Sequence, residues 1–246
     1  MTLQGYLEAL VRATEESLGE SLLGVYAAGS VALGAYEPGR SDVDVALVTS
    51  TALSSQQKRD LVERLRHESL PCPARGLELV AYRREVAAAG TPGPGFEVEL
   101  NTGSGVAFRE TFDPADRPVK DGSFWYGLDR SILHEHGLAL SGPPAAEVFA
   151  DLDEADLRRL MVEAMTWWIG REVEDSVDAV LGACRALVKL RHGTWVSKAA
   201  AGERLVSDGG SDAVVQMALS ARSGGRAPTL DAARAFQRRA LTEVAG

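Results

Sequence analysis

Gly29-Ser30-Val31-Ala32-Leu33-Gly34-Ala35-Tyr36-Glu37-Pro38-Gly39-Arg40-Ser41-Asp42-Val43-Asp44-Val45 follows one apolar run, Leu22 to Ala28, and leads into another, Val43 to Val48. The pattern reads as strand, Gly-Ser turn, short helix, loop, and a second strand that opens on two acids. Side chains alternate along a strand, so Asp42 and Asp44 project to one face, about 6–7 Å apart at the strand rise. Unpaired carboxylates in an apolar strand are costly to bury, and a divalent cation removes that cost. Two carboxylates on one face can hold Mg²⁺ through hard oxygen ligands. Upstream, Gly29 lets the backbone approach an anion, Ser30 offers a hydroxyl, and the helix starting near Val31 aims its first amides at the same place. The alternative is a pair of solvated acids flanking an edge strand. The Gly-Ser turn on the preceding strand favours the metal.

Outward from this stretch, Leu3, Leu7, Leu10, Val11 and Leu18 recur at helical spacing and predict an opening helix from Leu3 to Leu18. Residues 54–69 predict another. Gly76 to Tyr82 and Phe96 to Leu100 read as short strands, with the Gly/Pro cluster of residues 90–95 as the loop between them. Glu78 interrupts the first of these strands. If that strand neighbours the Asp-x-Asp strand, Glu78 joins the same face, either as a metal ligand or as a base whose pKa is raised by burial and like charge. Otherwise it is a solvent-facing strand glutamate.

Strand signals stop after about Leu140, and Ser141-Gly142-Pro143-Pro144 reads as a boundary. The expected domains are therefore 1–143, α/β with a small mixed sheet and flanking helices, and 144–246, all helical. Asp153 and Asp156 precede the periodic run Leu157, Leu160, Met161, Ala164, Met165, Trp168 as an acidic cap, and further helices are predicted over 177–190, 198–206, 213–221 and 230–241.

The chain has 246 residues and a formal net charge of −9, which argues against a nucleic-acid duplex as partner. Between Glu147 and Asp178 there are ten acids against three arginines, either a solvated helix face or a negative wall for a small polycation. No run is long and apolar enough to span a membrane, and the amino terminus has no signal-type pattern, so a cytoplasmic location is expected. Cys72 and Cys184 have no metal or disulfide spacing and read as buried thiols. His67, His134, His136 and His192 share no ligand spacing.

Gly29-Ser30 followed by Ser41-Asp42-x-Asp44 resembles the signature of the polymerase-β-type nucleotidyltransferases. The wider pattern resembles the AadA-type aminoglycoside adenylyltransferases. Arg75-Gly76-Leu77-Glu78 is similar to the family's strand with the catalytic glutamate. Asp129-x-x-Ile132-Leu133 and Ala139-Leu140-x-Gly142-Pro143 are similar to its link into the second domain, and Asp156 to Trp168 is similar to the helix bearing its substrate-stacking tryptophan.

The resemblance implies that Asp42 and Asp44 bind Mg²⁺, that Glu78 is the base at the substrate hydroxyl, and that Ser30 and Ser41, beside Gly29, hold phosphate oxygens. It implies that Arg185 and Lys198 contact the ATP triphosphate, and that Trp168 and Asp175 grip the drug, with Glu172 or Glu174 as a second acidic contact. Trp167 and Trp168 are consecutive on a helix, so one of them is expected in the core. Near Arg222 the family places an aromatic residue against adenine, and an arginine can stack there less hydrophobically. The implied reaction moves AMP from MgATP to a hydroxyl of spectinomycin or streptomycin, releasing pyrophosphate and inactivating the drug, in a monomer that takes neither nucleic acid nor membrane as partner. Domain closure on ATP is expected to complete the drug site. Alternatives are adenylylation of a protein or another small-molecule hydroxyl, and a nucleotide-binding module without catalysis.

Overall fold

The computed structural model describes residues 1–171, 176–209 and 212–246, which form two compact units, Met1–Leu152 and Asp153–Gly246. In the first, α1 (Leu3–Leu18) is capped by Thr2, whose hydroxyl accepts from the Gly5 amide at 3.1 Å. There follow β1 (Leu22–Ala27), α2 (Gly29–Ala32), β2 (Val43–Thr49), α3 (Ser55–Leu65), β3 (Leu77–Arg83), α4 (Arg84–Ala87), β4 (Phe96–Thr102), β5 (Arg109–Thr111), α5 (Phe124–His136), β6 (Leu138–Ser141) and α6 (Ala145–Val148). The strands make one sheet in the order β5-β4-β3-β2-β1-β6. Among the described residues only β2 and β3 pair in parallel, and α3 lies in the crossover that a parallel pair needs.

Strand alternation gives the sheet two apolar faces. Val25, Val45, Leu47, Leu79 and Val98 point toward α1 and α3, where Tyr6, Leu10, Leu61 and Leu65 cover them. Tyr26, Ala46, Val48 and Tyr82 point the other way, against Tyr126 and Leu133 of α5 and against Ala145 and Phe149. Asp44 and Glu78 have the parity of this second face, at the end of the strands where the apolar cover gives way to polar side chains.

The helix expected over residues 54–69 ends earlier, at Leu65, because Arg66 is extended. Its start is fixed by a capping box between Ser54 and Gln57. β5, α5 and β6 lay outside the sequence-based expectation, since two of them are very short and α5 mixes polar and apolar residues without a clean period. The division at Leu152, beyond the expected 143/144, has a packing reason. β6 pairs with β1, and Phe149 sets its ring edge-on to Tyr26 at 5.2 Å, so both segments belong to the sheet.

The second unit comprises α7 (Glu154–Gly170), α8 (Ser176–His192), α9 (Lys198–Ser207), α10 (Ala213–Arg222) and α11 (Leu230–Ala245). Asp153, Ser197, Asp212 and Thr229 each cap the helix that follows through a side-chain oxygen. α8 is its centre, with Val180, Leu181, Cys184 and Val188 inaccessible to solvent, and α9, α10 and α11 pack around it. Cys72 and Cys184 are free and buried. Among the described residues no helix is long and apolar enough to cross a membrane.

Candidate active site

Asp44 and Glu78 are direct partners across the parallel β2–β3 pair, and Asp42 precedes Asp44 by two residues, so three carboxylates share one face. Opposite them is the Gly29-Ser30 turn. The Ala28 amide donates to the Asp44 carbonyl at 2.9 Å, which ties the turn to β2. Gly29 has φ +50°, and a Cβ added there would overlap the Asp44 carboxylate, so only glycine admits this approach. The Ser30 hydroxyl oxygen is shielded from solvent and makes no hydrogen bond. Ser41 closes its own loop, its hydroxyl accepting from the Glu37 amide at 3.0 Å and its amide donating to the Glu37 carbonyl at 2.9 Å. Asp42 lies 3.8 Å from an Arg75 guanidinium nitrogen.

Burial above all pushes the Glu78 carboxyl up to about 8. Asp44, Asp42 and Asp129 of α5 add to the rise, and Arg109 of β5 opposes it. Such a carboxyl sits near neutrality, the range a general base needs. Among the described residues no three His, Cys, Asp or Glu side chains form a ready-made metal cage. Mg²⁺ does not need one, because one or two carboxylates complete its shell with water and substrate phosphates. The close approach of Gly29 to the Asp44 carboxylate and the unbonded Ser30 hydroxyl fit a phosphate-borne Mg²⁺ held by Asp42 and Asp44.

In the second unit, Lys198 donates to Asp178 at 2.8 Å. Burial alone would raise the Asp178 carboxyl, but Lys198, Arg185 and Arg222 outweigh it and hold the group below its ordinary range. Arg185 also stands over the Trp195 ring at 5.8 Å. The two cations expected at the triphosphate are thus gathered with a third, Arg222, around one carboxylate. Sequence reading placed Asp178 only within the acidic stretch. Much of that stretch is neutralised locally: Arg159 bridges Asp156 and Glu163, and Arg158 pairs with Glu154.

Trp167 and Trp168 meet edge to face at 5.2 Å, and Arg171 lies 4.2 Å from the first ring centre and 5.5 Å from the second. Both indoles are half-buried, so neither is the core residue the sequence led us to expect. They lie beyond the buried residues Leu157, Leu160, Met161, Ala164 and Met165 of α7. Glu172, Glu174 and Asp175, the acids expected to grip the substrate, lie outside the described residues.

Asn101 and Arg109 of the carboxylate face escaped sequence reading, and Asp129 entered it only as part of a linking motif. Asp129 is one acid in a mixed helix. Asn101 and Arg109 join the row only through pairing, Glu78 opposite Asn101 and Asn101 opposite Arg109. The one available signal was a polar residue in a β-prone run.

A turn, two aspartates on the next strand and a third carboxylate in register beside them make up the candidate site of the first unit, on a mixed sheet. Residues 147–243 match the family model described as the aminoglycoside adenylyltransferase C-terminal domain. Among solved structures the chain is similar in fold to a spectinomycin adenyltransferase, AAD(9) from Enterococcus faecialis, crystallised with ATP and spectinomycin. The identity is 15%, 100% of each chain is covered, and the TM-score is 0.73. No curated protein sequence matches the chain.

Proposed function

We propose that the chain transfers AMP from MgATP to a hydroxyl of a cationic aminocyclitol or aminoglycoside, releasing pyrophosphate. The observation that carries this reading is the in-register pair of Asp44 and Glu78, with Asp42 on the same face and the Glu78 carboxyl raised toward neutrality. The C-terminal domain match supports the substrate class, and the AAD(9) structure, which holds ATP and spectinomycin, supports spectinomycin as the first drug to test.

Glu78 takes the proton of the acceptor hydroxyl, the oxygen attacks the α-phosphorus, and the bond from that phosphorus to the bridging oxygen breaks, so pyrophosphate leaves. Asp42 and Asp44 would hold the Mg²⁺ that arrives with ATP, and the ion would neutralise charge on the phosphoryl oxygens. The Ser30 hydroxyl donates to a phosphate oxygen, with Gly29 letting the turn lie against Asp44, and Ser41 retains its own proton to donate. Arg185 and Lys198 of the second unit neutralise the triphosphate, a role that requires Lys198 to exchange Asp178 for phosphate. Trp168 stacks on the drug, and Glu172 or Glu174 with Asp175 accept hydrogen bonds from its ammonium or guanidinium groups.

The test is pyrophosphate release from MgATP with spectinomycin and with streptomycin in parallel, with Asp44→Ala and Glu78→Gln as controls. Turnover of either drug that is lost in both variants supports the reading. Turnover only with a protein acceptor, or ATP binding without turnover under any acceptor, rejects it.

A further inference from the structure

The row Asp44, Glu78, Asn101, Arg109 crosses four neighbouring strands in register on the carboxylate face. Side chains directly opposite in an antiparallel pair have Cβ atoms about 4.5–5.5 Å apart. A molecule that reaches the Glu78 carboxylate therefore also meets the Asn101 amide. With that amide turned so that both ends are satisfied, its oxygen accepts from Arg109 Nη2 at 2.9 Å and its nitrogen donates to the Leu100 carbonyl at 3.2 Å. A primary amide has two N–H donors and two acceptor lone pairs, so one of each remains on Asn101. Arg109 is itself held, with Nη2 3.1 Å from Glu99 Oε1 and Nη1 3.1 Å from Asp121 Oδ2, and Glu99 is buried. The guanidinium that orients the amide is thus anchored at both ends.

We propose that Asn101 is a further residue of the acceptor site, hydrogen-bonding a second hydroxyl beside the one that Glu78 deprotonates, and that Arg109 is its positioning residue. This rests on Glu78 being the base, and it adds what holds the acceptor ring there. One free N–H and one free lone pair match a hydroxyl that both donates and accepts, so the preferred acceptor carries a second hydroxyl next to the reacting one.

The experiment is steady-state kinetics of the full chain with spectinomycin and MgATP for Asn101→Ala, Asn101→Asp, Arg109→Lys and Glu78→Gln, each checked by its melting temperature. Asn101→Ala is expected to raise the acceptor KM about tenfold, the worth of roughly one hydrogen bond, with the KM for MgATP unchanged. Asn101→Asp, which loses the donor, shares that effect. Arg109→Lys reproduces it and adds nothing on top of Asn101→Ala, because the two act as one unit. An acceptor KM within twofold of the unaltered chain in both Asn101 variants overturns the inference even when Glu78→Gln is inactive. Undiminished turnover by Glu78→Gln, or turnover of neither spectinomycin nor streptomycin by the unaltered chain, overturns the underlying reading and this inference with it. Should Arg109→Lys not fold, the Asn101 variants decide alone.

Discussion

Gly29 stands so close to Asp44 that a single added carbon would collide with the carboxylate. The backbone of the turn and the aspartate thus form one surface. Gly29→Ala must move Asp44 or the turn, and at φ +50° it also strains the backbone. The expected result is a stability loss of about 1–3 kcal/mol and at least 100-fold lower turnover. Gly34→Ala is the control, because Gly34 has φ +63° with open space around it. It should share the stability loss in urea melts and keep the activity.

Glu78 gives the metal-free protein a defined pH dependence. Its carboxyl titrates near 4.5 when unfolded and near 8 in the fold, so the folded state binds the extra proton between those values. The stabilising contribution is therefore complete below about pH 4.5 and is lost as pH rises through about 8. Melting temperatures in EDTA should fall between pH 5.5 and 8 more steeply for the unaltered chain than for Glu78→Gln. Equal slopes would remove the raised carboxyl from the account.

Arg130 is buried and donates to the carbonyls of Thr91 and Gly93 at 2.6 Å and of Pro94 at 3.2 Å, with its guanidinium over the Tyr82 ring at 5.0 Å. Arg130→Met leaves three carbonyls without their donor. We expect a loss of about 1–3 kcal/mol in chemical denaturation, from the lost hydrogen bonds of a buried guanidinium, with water replacing part of them at the exposed Thr91 and Gly93. A loss below about 1 kcal/mol would mean that the 91–94 loop finds other donors.

Lys198→Ala and Arg185→Ala should each weaken MgATP binding at least tenfold in calorimetry while the helices of the second unit stay folded. Undiminished affinity in both would reduce the cluster around Asp178 to a structural ion pair.

The sequence made the carboxylate face readable because its parts are local: Gly29-Ser30, Asp42 with Asp44, and an acid inside the apolar run that contains Glu78. Parity along a strand and the cost of a buried charge suffice for those residues. Asn101 and Arg109 reach the same row only through the β3–β4–β5 pairing, and β5 is three residues long, too short for a period to show. Asp178 was hidden differently. Its partner Lys198 lies 20 residues further on, past the rest of α8 and a loop, so the charge count near Asp178 recorded an acid where the fold has an ion pair. The paired tryptophans misled for a third reason, since the helix period places one of them toward the core only while the apolar face of α7 continues, and that face ends at Met165.

The pairing of β1 on both sides has a consequence for synthesis. Its partner β2 follows soon after it, but Val25, Tyr26 and Ala27 meet Ser141, Ala139 and Leu138 only once β6 has been made. A nascent chain thus presents an open, apolar strand edge through most of the translation of this unit, the kind of edge that recruits other strands. The Gly29-Ser30 turn and its aspartates are complete long before that edge is closed, so a chain arrested before residue 138 is expected to carry the carboxylate motif and to aggregate through β1.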